Sequence, residues 1–290
     1  MGKVLILGAG PAGVSAALYA RRGGADVRVV FKGYGTGALG KAELIQNYYG
    51  PAAPLSGAEL EKQGIDNAKA IGIEFVEDEL IALDYRTDAQ GFLGISSRQT
   101  YEADSLIIAA GATRRTLSLP GLKELEGHGV SYCASCDGFF YRGKTVAVLG
   151  SGEYAMHEAK FLLPHAAKVL LFSNGEELTA ELPAGAEHRA GRLTAIEGDS
   201  RVSGAVFEDG TKLPIDGLFV AIGTAGSTEL ARRLGVMTEE NNIRVDAQMA
   251  TNVPGVFAAG DCTGGLLQIA KAVHEGAVAG LSAVKFLRKA

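Results

Sequence analysis

Apolar residues in this chain come in short unbroken runs, most of them closed by glycine. The first, Val4-Leu5-Ile6-Leu7, enters Gly8-Ala9-Gly10-Pro11-Ala12-Gly13. Small and apolar residues then recur to Arg22, Gly23-Gly24 stops the pattern, and Val27 to Phe31 begins a second run. An unbroken apolar run bounded by glycine predicts a buried strand, and the segment beyond it a helix. The same strand–turn–helix–strand order returns at Thr145–Leu149, Gly150-Ser151-Gly152, Glu153–Leu163, with Pro164 as breaker, and Val169–Phe172. Three more runs, 105–110, 218–222 and 256–259, end at Gly111, Gly223 and Gly260. Strands that end in glycine suit an α/β sheet whose strand ends line a ligand crevice. Gln268 to Arg288 predicts an alanine-rich helix, and 84–91 and 208–211 predict hairpin turns. Two copies at this spacing do not make a solenoid. The expected fold class is α/β, with two nucleotide-binding-type (Rossmann-like) three-layer domains.

Composition narrows the function classes. The chain has 290 residues, which suggests two domains or one large one, and 47% hydrophobic with 21% charged is ordinary for a water-soluble globular protein. A formal charge of −5 leaves no nucleic-acid footprint. No apolar run approaches the ~18 residues of a membrane span. Because the N-terminus reads as a buried strand, no signal peptide is expected. Ile6 stands where a myristoylation start would have Ser or Thr. Three cysteines are too few for a secreted disulfide framework, so a cytoplasmic location is expected.

Two features carry chemistry. Gly8, Gly10 and Gly13 lie between a strand and a helix. The first makes the turn, the second lets the backbone approach a pyrophosphate, and the third lets helix pack on strand. Free N–H groups at the helix start attract the anion. An acid for the ribose is missing, because Phe31-Lys32-Gly33 stands where it usually falls. The second feature is Cys133-Ala134-Ser135-Cys136-Asp137. The two thiols suit a redox pair, a zinc site or plain burial. Zinc asks for four ligands, and the five histidines show no ligand spacing. A thiol in such a motif has a lowered pKa, and Asp137 stands where a carboxyl can move a proton to or from it. Asp137 also suits a helix or turn cap.

The stretch from Gly129 to Arg142 resembles the active-site segment of the low-molecular-weight thioredoxin reductases, and the resemblance runs almost the whole length. Gly37-Ala38-Leu39 and Ile45 to Gly50, with Asn47, resemble that family's flavin-contacting segments. Ala109 to Ala112, with Gly111, and Val220 to Gly223 resemble its crossover strands. Thr251 to Asp261 resembles its second flavin fingerprint. The resemblance implies a homodimer with FAD as cofactor and thioredoxin as partner. The flavin domain would be discontinuous, 1–113 plus 246–290, and the dithiol domain would be 114–245. FAD would be held by Gly8, Gly10, Pro11, Ala12, Gly13, Gly37, Ala38, Leu39, Asn47, Gly111, Gly260, Asp261, Gln268 and Ile269. Asp261 would bond the ribityl–pyrophosphate region, and Gln268 and Ile269 would approach the isoalloxazine. Cys133, Cys136 and Asp137 would be catalytic. Cys136 would lie nearest the flavin and Cys133 would be exposed for exchange, though either thiol suits attack on thioredoxin.

The chain departs from the family where its members hold NADPH. Their His-Arg-Arg cluster for the 2′-phosphate is replaced by Ser173-Asn174-Gly175-Glu176-Glu177. A phosphate needs charge-assisted donors, and none stands here. Glu153 opens the loop's helix, where it would repel a pyrophosphate, and Tyr154 adds bulk. Between Leu182 and Arg192 there is no room for the family's next long helix. Residues 141–159 and 260–268 resemble the ferredoxin-linked, pyridine-nucleotide-independent branch, which implies ferredoxin as electron donor. The alternatives are an NADH- or NADPH-dependent reductase, or a flavin redox sensor that does not turn over. Cys262 suits a third redox thiol or a small buried residue. Tyr48 and Tyr49 suit stacking beside the flavin or core. Arg114-Arg115 suits a hinge salt bridge or a ferredoxin contact.

Overall fold

The computed structural model describes residues 2–87, 91–111, 117–223, 226–239 and 242–289. Arg114, Arg115 and part of the first expected hairpin turn lie outside the described residues. The chain begins β1 (Lys3–Leu7), α1 (Pro11–Arg22), β2 (Asp26–Phe31), α2 (Gly57–Ala70), β3 (Glu74–Glu77), β4 (Leu80–Tyr85), β5 (Phe92–Ser96), β6 (Thr100–Ala103) and β7 (Ser105–Ile108). It continues β8 (Val130–Ser131), α3 (Ala134–Asp137), β9 (Thr145–Leu149), α4 (Glu153–Leu162), β10 (Lys168–Phe172), β11 (Ala186–Arg189), β12 (Leu193–Glu197), β13 (Gly204–Phe207), β14 (Lys212–Pro214) and β15 (Gly217–Val220). It ends α5 (Ser227–Arg233), β16 (Thr238–Glu239), β17 (Asn242–Ile243), β18 (Val256–Ala258) and α6 (Ile269–Leu287). These elements form two compact units, Met1–Thr113 with Gly226–Ala290, and Arg114–Ala225.

The first unit is built on a parallel sheet in the order β18-β7-β1-β2-β3. Beyond Lys3, its inner strands β1 and β7 are buried and, apart from Ser105, apolar, as the unbroken runs predict. Helices α1 and α6 pack with almost no side chain between them. A Cβ on Gly276 would fall 2.1 Å from the Ala12 carbonyl oxygen, and one on Gly280 would fall 2.4 Å from that of Ala16. Ala16, Ala17, Ala20, Ala279 and Ala283 are buried along this seam. An antiparallel sheet, β4-β5-β6, completes the three layers, with Gly94 of β5 lying against Leu5 of β1.

The second unit repeats the plan with the parallel order β11-β10-β9-β15-β8 and an antiparallel β12-β13-β14. Phe172 meets Phe207 edge to face at 5.1 Å between ring centres, in a core with Leu149, Leu218 and Val220. No helix joins β10 to β11, in keeping with the short connection expected there. One boundary differs from expectation. Residues 226–245 belong to the first unit, so the second ends at Ala225 rather than 245. Side chains of the first unit hold this stretch. Tyr85 Oη donates to the Leu234 carbonyl at 2.6 Å, and Asn252 bonds both Gly235 O at 2.9 Å and Met237 N at 2.7 Å. No glycine- or proline-rich linker marks the crossing in the sequence.

Candidate functional site

The glycine loop of the first unit joins β1 to α1. Gly8 has φ +100°, and its N–H bonds the Val30 carbonyl at 2.8 Å, tying the loop to the end of β2. A Cβ on Gly13 would fall 1.8 Å from Gly8 O, so only glycine lets the helix start here. By contrast, nothing lies within 4 Å of a Cβ at Gly10, so that backbone faces open space. Pro11 occupies the first helical turn, no side chain caps the helix and no acid lies in that turn. The unclaimed N–H groups and the helix dipole therefore suit an anionic pyrophosphate.

The other expected cofactor residues of this unit fall in two groups. Gly37 and Ala38 are exposed and Leu39 half-buried in a loop pinned by Glu61 of α2, whose Oε2 accepts the Gly35 N–H at 2.7 Å. Asn47 Nδ2 donates to Gln268 Oε1 at 3.0 Å, which brings two expected cofactor residues together from distant parts of the chain. Ile269 begins α6, and the Gly111 carbonyl accepts from Ser227 Oγ at 2.7 Å. Tyr49 is 98% exposed, which rules out its core reading, and Tyr48 is half-buried.

The turn Gly260–Thr263 is held by an ion pair that sequence reading missed. Glu275 Oε2 accepts from Gly260 N at 2.8 Å, Thr263 Oγ1 at 2.9 Å and Lys271 Nζ at 3.0 Å. The available signal was the Lys–Glu spacing of four on α6. The Asp261 carboxylate makes no hydrogen bond or ion pair with any described residue, leaving it available to a ligand. Cys262 is 1% exposed, and burial pushes its thiol up to about 12, as for a small buried residue.

The second unit carries the dithiol between β8 and α3. Cys133 and Cys136 are joined by a disulfide, with Cα atoms 5.3 Å apart. Cys133 caps α3, its Sγ accepting the Cys136 N–H at 3.2 Å. The exposures reverse the expectation, since Cys133 is 4% exposed and Cys136 is the accessible member. Capping turns the Cys133 sulfur inward over the first turn of the helix. Asp137 does not cap. Its Oδ2 accepts the Ser131 hydroxyl at 2.6 Å, while Ser131 Oγ accepts the Cys133 N–H at 3.1 Å. Ser131 thus links the acid to the buried cysteine, a role with no motif to announce it.

Helix α4 brackets this segment. Tyr154 Oη donates to the Tyr132 carbonyl at 3.0 Å, and the buried Glu158 accepts the Ala134 N–H at 2.6 Å through Oε2. Tyr154 and Glu158 are one turn apart, so one face of α4 meets the chain on both sides of Cys133. Phe139 and Phe140, 66% and 68% exposed, follow the dithiol.

The loop before α4 is crowded. Thr179 lies across it, its N–H bonding Ser151 O at 2.9 Å and its Oγ1 standing 3.3 Å from a Cβ at Gly152. Glu153 occupies the first turn of α4. At the end of β10, Ser173 is buried and shares a hydrogen bond with His188 at 2.9 Å, Asn174 accepts the Leu193 N–H at 2.7 Å and Gly175 N bonds Ala190 O at 2.8 Å. These groups satisfy one another within the unit.

The pyridine nucleotide-disulphide oxidoreductase family model matches residues 2–276. A thioredoxin reductase of Aquifex aeolicus (strain VF5) is 37% identical over 98% of this chain and 93% of its own length. Among solved structures, the atypical thioredoxin reductase TRi from Desulfovibrio vulgaris Hildenborough superposes with a TM-score of 0.91 at 36% identity, covering 100% of this chain and 99% of that one. A ferredoxin-flavin thioredoxin reductase from Clostridium acetobutylicum superposes with a TM-score of 0.70 at 32% identity, over 100% and 99%. With a helix start that suits a pyrophosphate and a disulfide seated on a strand end, these likenesses agree. The chain belongs to the pyridine nucleotide-disulphide oxidoreductase family and, within it, to the thioredoxin reductases, whose cofactor is FAD.

Proposed function

We propose that this protein is a thioredoxin reductase whose electrons come from reduced ferredoxin and reach thioredoxin through Cys133 and Cys136. One observation carries the choice of donor. The crevice where a nicotinamide dinucleotide would lie is crossed by Thr179 and faced by Glu153, and the groups ending β10 are engaged with one another. A dinucleotide brings about two negative charges there, facing the Glu153 carboxylate at the helix start; the cation at the end of β10 is Arg192, whose guanidinium lies beside Gly175.

FAD fits the first unit through Gly8, Gly10, Gly13 and Asp261, and when bound it accepts electrons singly and delivers them in pairs. The disulfide takes up two electrons and two protons to become the dithiol. One thiolate then attacks thioredoxin's disulfide, and the second displaces the mixed disulfide, returning Cys133–Cys136 to the oxidised form. Asp137, held by Ser131, moves the proton at the departing sulfur. The direction is favourable, since plant-type ferredoxins lie near about −400 mV and thioredoxin near about −270 mV. Exposed Phe139 and Phe140 give a protein substrate an apolar contact beside the thiols. The homodimer implied by the resemblance and the cytoplasmic setting expected from the cysteine content form part of the same reading.

A second reading, an NADH-dependent reductase, draws on the acids Glu176 and Glu177 just past β10. Anaerobic stopped-flow mixing separates the two. Reduced ferredoxin should bleach the flavin band within the turnover time, while stoichiometric NADH and NADPH should not. Rapid bleaching by either nucleotide defeats the ferredoxin assignment.

A further inference from the structure

Dinucleotide-binding units usually end β2 with an acid that bonds the adenosine ribose. This chain has Phe31-Lys32-Gly33 there, yet the sheet brings a carboxylate to the same place from the next strand. Strands β2 and β3 run parallel with Phe31 opposite Glu77, so Glu77 stands level with the end of β2. Its side chain reaches across to Gly33. A Cβ on Gly33 would fall 2.6 Å from Glu77 Oε1 and 3.2 Å from Cδ, so the carboxylate occupies the space a side chain at 33 would fill. Gly33 also has φ +118°, which favours glycine independently.

The neighbouring charges are committed elsewhere. Lys32 Nζ lies 3.2 Å from Glu79 Oε1, and Asp78 accepts from Arg98 and Tyr101. Glu77 is exposed, and its carboxylate makes no hydrogen bond or ion pair with any described residue. The surrounding backbone is fixed. Thr36 Oγ1 donates to Gly33 O at 2.8 Å, Gly35 N bonds Glu61, and Gly8 of the pyrophosphate loop bonds Val30, one residue before Phe31. An unclaimed carboxylate therefore stands on fixed backbone, at the strand end beside the loop.

We propose that Glu77 takes the place of the missing β2 acid and accepts a hydrogen bond from the 2′-hydroxyl of the adenosine ribose of FAD. The inference rests on FAD binding at Gly8–Gly13 and not on the identity of the electron donor. A hydrogen bond to a charged acceptor corresponds to roughly a ten- to hundredfold change in affinity.

The test measures FAD retention by the holoprotein, from the flavin fluorescence released on dilution. Glu77→Gln should weaken retention by about tenfold or more. Protein reconstituted with FAD carrying 2′-deoxyadenosine should show the same loss without any substitution, and E77Q should add nothing to it. Wild-type retention of the deoxy analogue equal to that of FAD overturns the proposal, as does an E77Q loss of the same size with both flavins. A wild-type protein that takes up no FAD at all refutes the flavin reading itself, and this inference with it.

Discussion

Replacing Ser131 with alanine probes how the dithiol segment controls proton movement. Ser131 is 6% exposed and uses one oxygen twice, donating to Asp137 Oδ2 at 2.6 Å and accepting from Cys133 N at 3.1 Å. Alanine leaves the Cys133 N–H without that partner, which costs about 1–3 kcal/mol of stability. It also frees Asp137 from a charge-assisted bond of about 1.5–3 kcal/mol. General acid–base assistance is worth on the order of 10²–10⁴ in rate, and Asp137→Asn should lose that factor in full. Ser131→Ala should lose a large part of it, and Ser131→Thr, which keeps the hydroxyl, should recover most. If Ser131 acts through Asp137, the double variant is no slower than D137N alone. The assay needs no electron donor. Protein already reduced at Cys133 and Cys136 is mixed with oxidised thioredoxin, and thiol appearance is followed by quenched alkylation. A double variant whose loss equals the product of the two single losses refutes the coupling. The thermal midpoint reports the stability part separately.

Three other outcomes follow from the geometry. With its thiol at about 12, Cys262 is ionised at pH 8 to a fraction on the order of 10⁻⁴, so in reduced native protein it should resist alkylation and label only after unfolding; prompt labelling of Cys262 contradicts this. Burial raises the Asp78 carboxyl, but hydrogen bonds, first from Tyr101 and also from Arg98, outweigh it and hold the group below its usual value of 3.8. A depressed folded-state pKa contributes stability that is present above the unfolded value and is lost as pH falls through the folded one, so Asp78→Asn should flatten the fall in melting temperature below about pH 4. Tyr154→Phe removes the bond to the Tyr132 carbonyl and should lower stability by about 1 kcal/mol in urea, without making NADPH a reductant.

The inner strands of both parallel sheets were legible because they are buried on two faces and read as unbroken apolar runs, whereas the part-exposed edge strands β3 and β11 and the two-residue β8 were not. The antiparallel layers were visible only as turns, since strands such as β12 and β14 are short and mixed in polarity. The cysteines and the glycine loop stand in local motifs, whereas their supports do not. Ser131 and Glu158 act through hydrogen bonds set by tertiary contact, and no spacing rule marks them, while the i,i+4 spacing of Lys271 and Glu275 marks their pairing but not the turn it holds. The reversed exposure of Cys133 and Cys136 has the same origin, because it depends on how α3 is capped. The resemblance of Val220 to Gly223 to a crossover strand already pointed to the crossing, but the segment beyond it was assigned to the wrong unit because side-chain bonds from Tyr85 and Asn252, not a linker, decide which unit it joins.

The most direct test of the electron path is a thiol count at steady state. Under anaerobic conditions, reduced ferredoxin, the holoprotein and oxidised thioredoxin are combined, and thioredoxin thiols are titrated against ferredoxin oxidised. The predicted result is two ferredoxin electrons for each thioredoxin disulfide reduced, with the yield abolished by Cys133→Ser or Cys136→Ser and no turnover when NADPH or NADH replaces ferredoxin. Equal turnover with a nicotinamide nucleotide, or thiol production that survives loss of either cysteine, contradicts it.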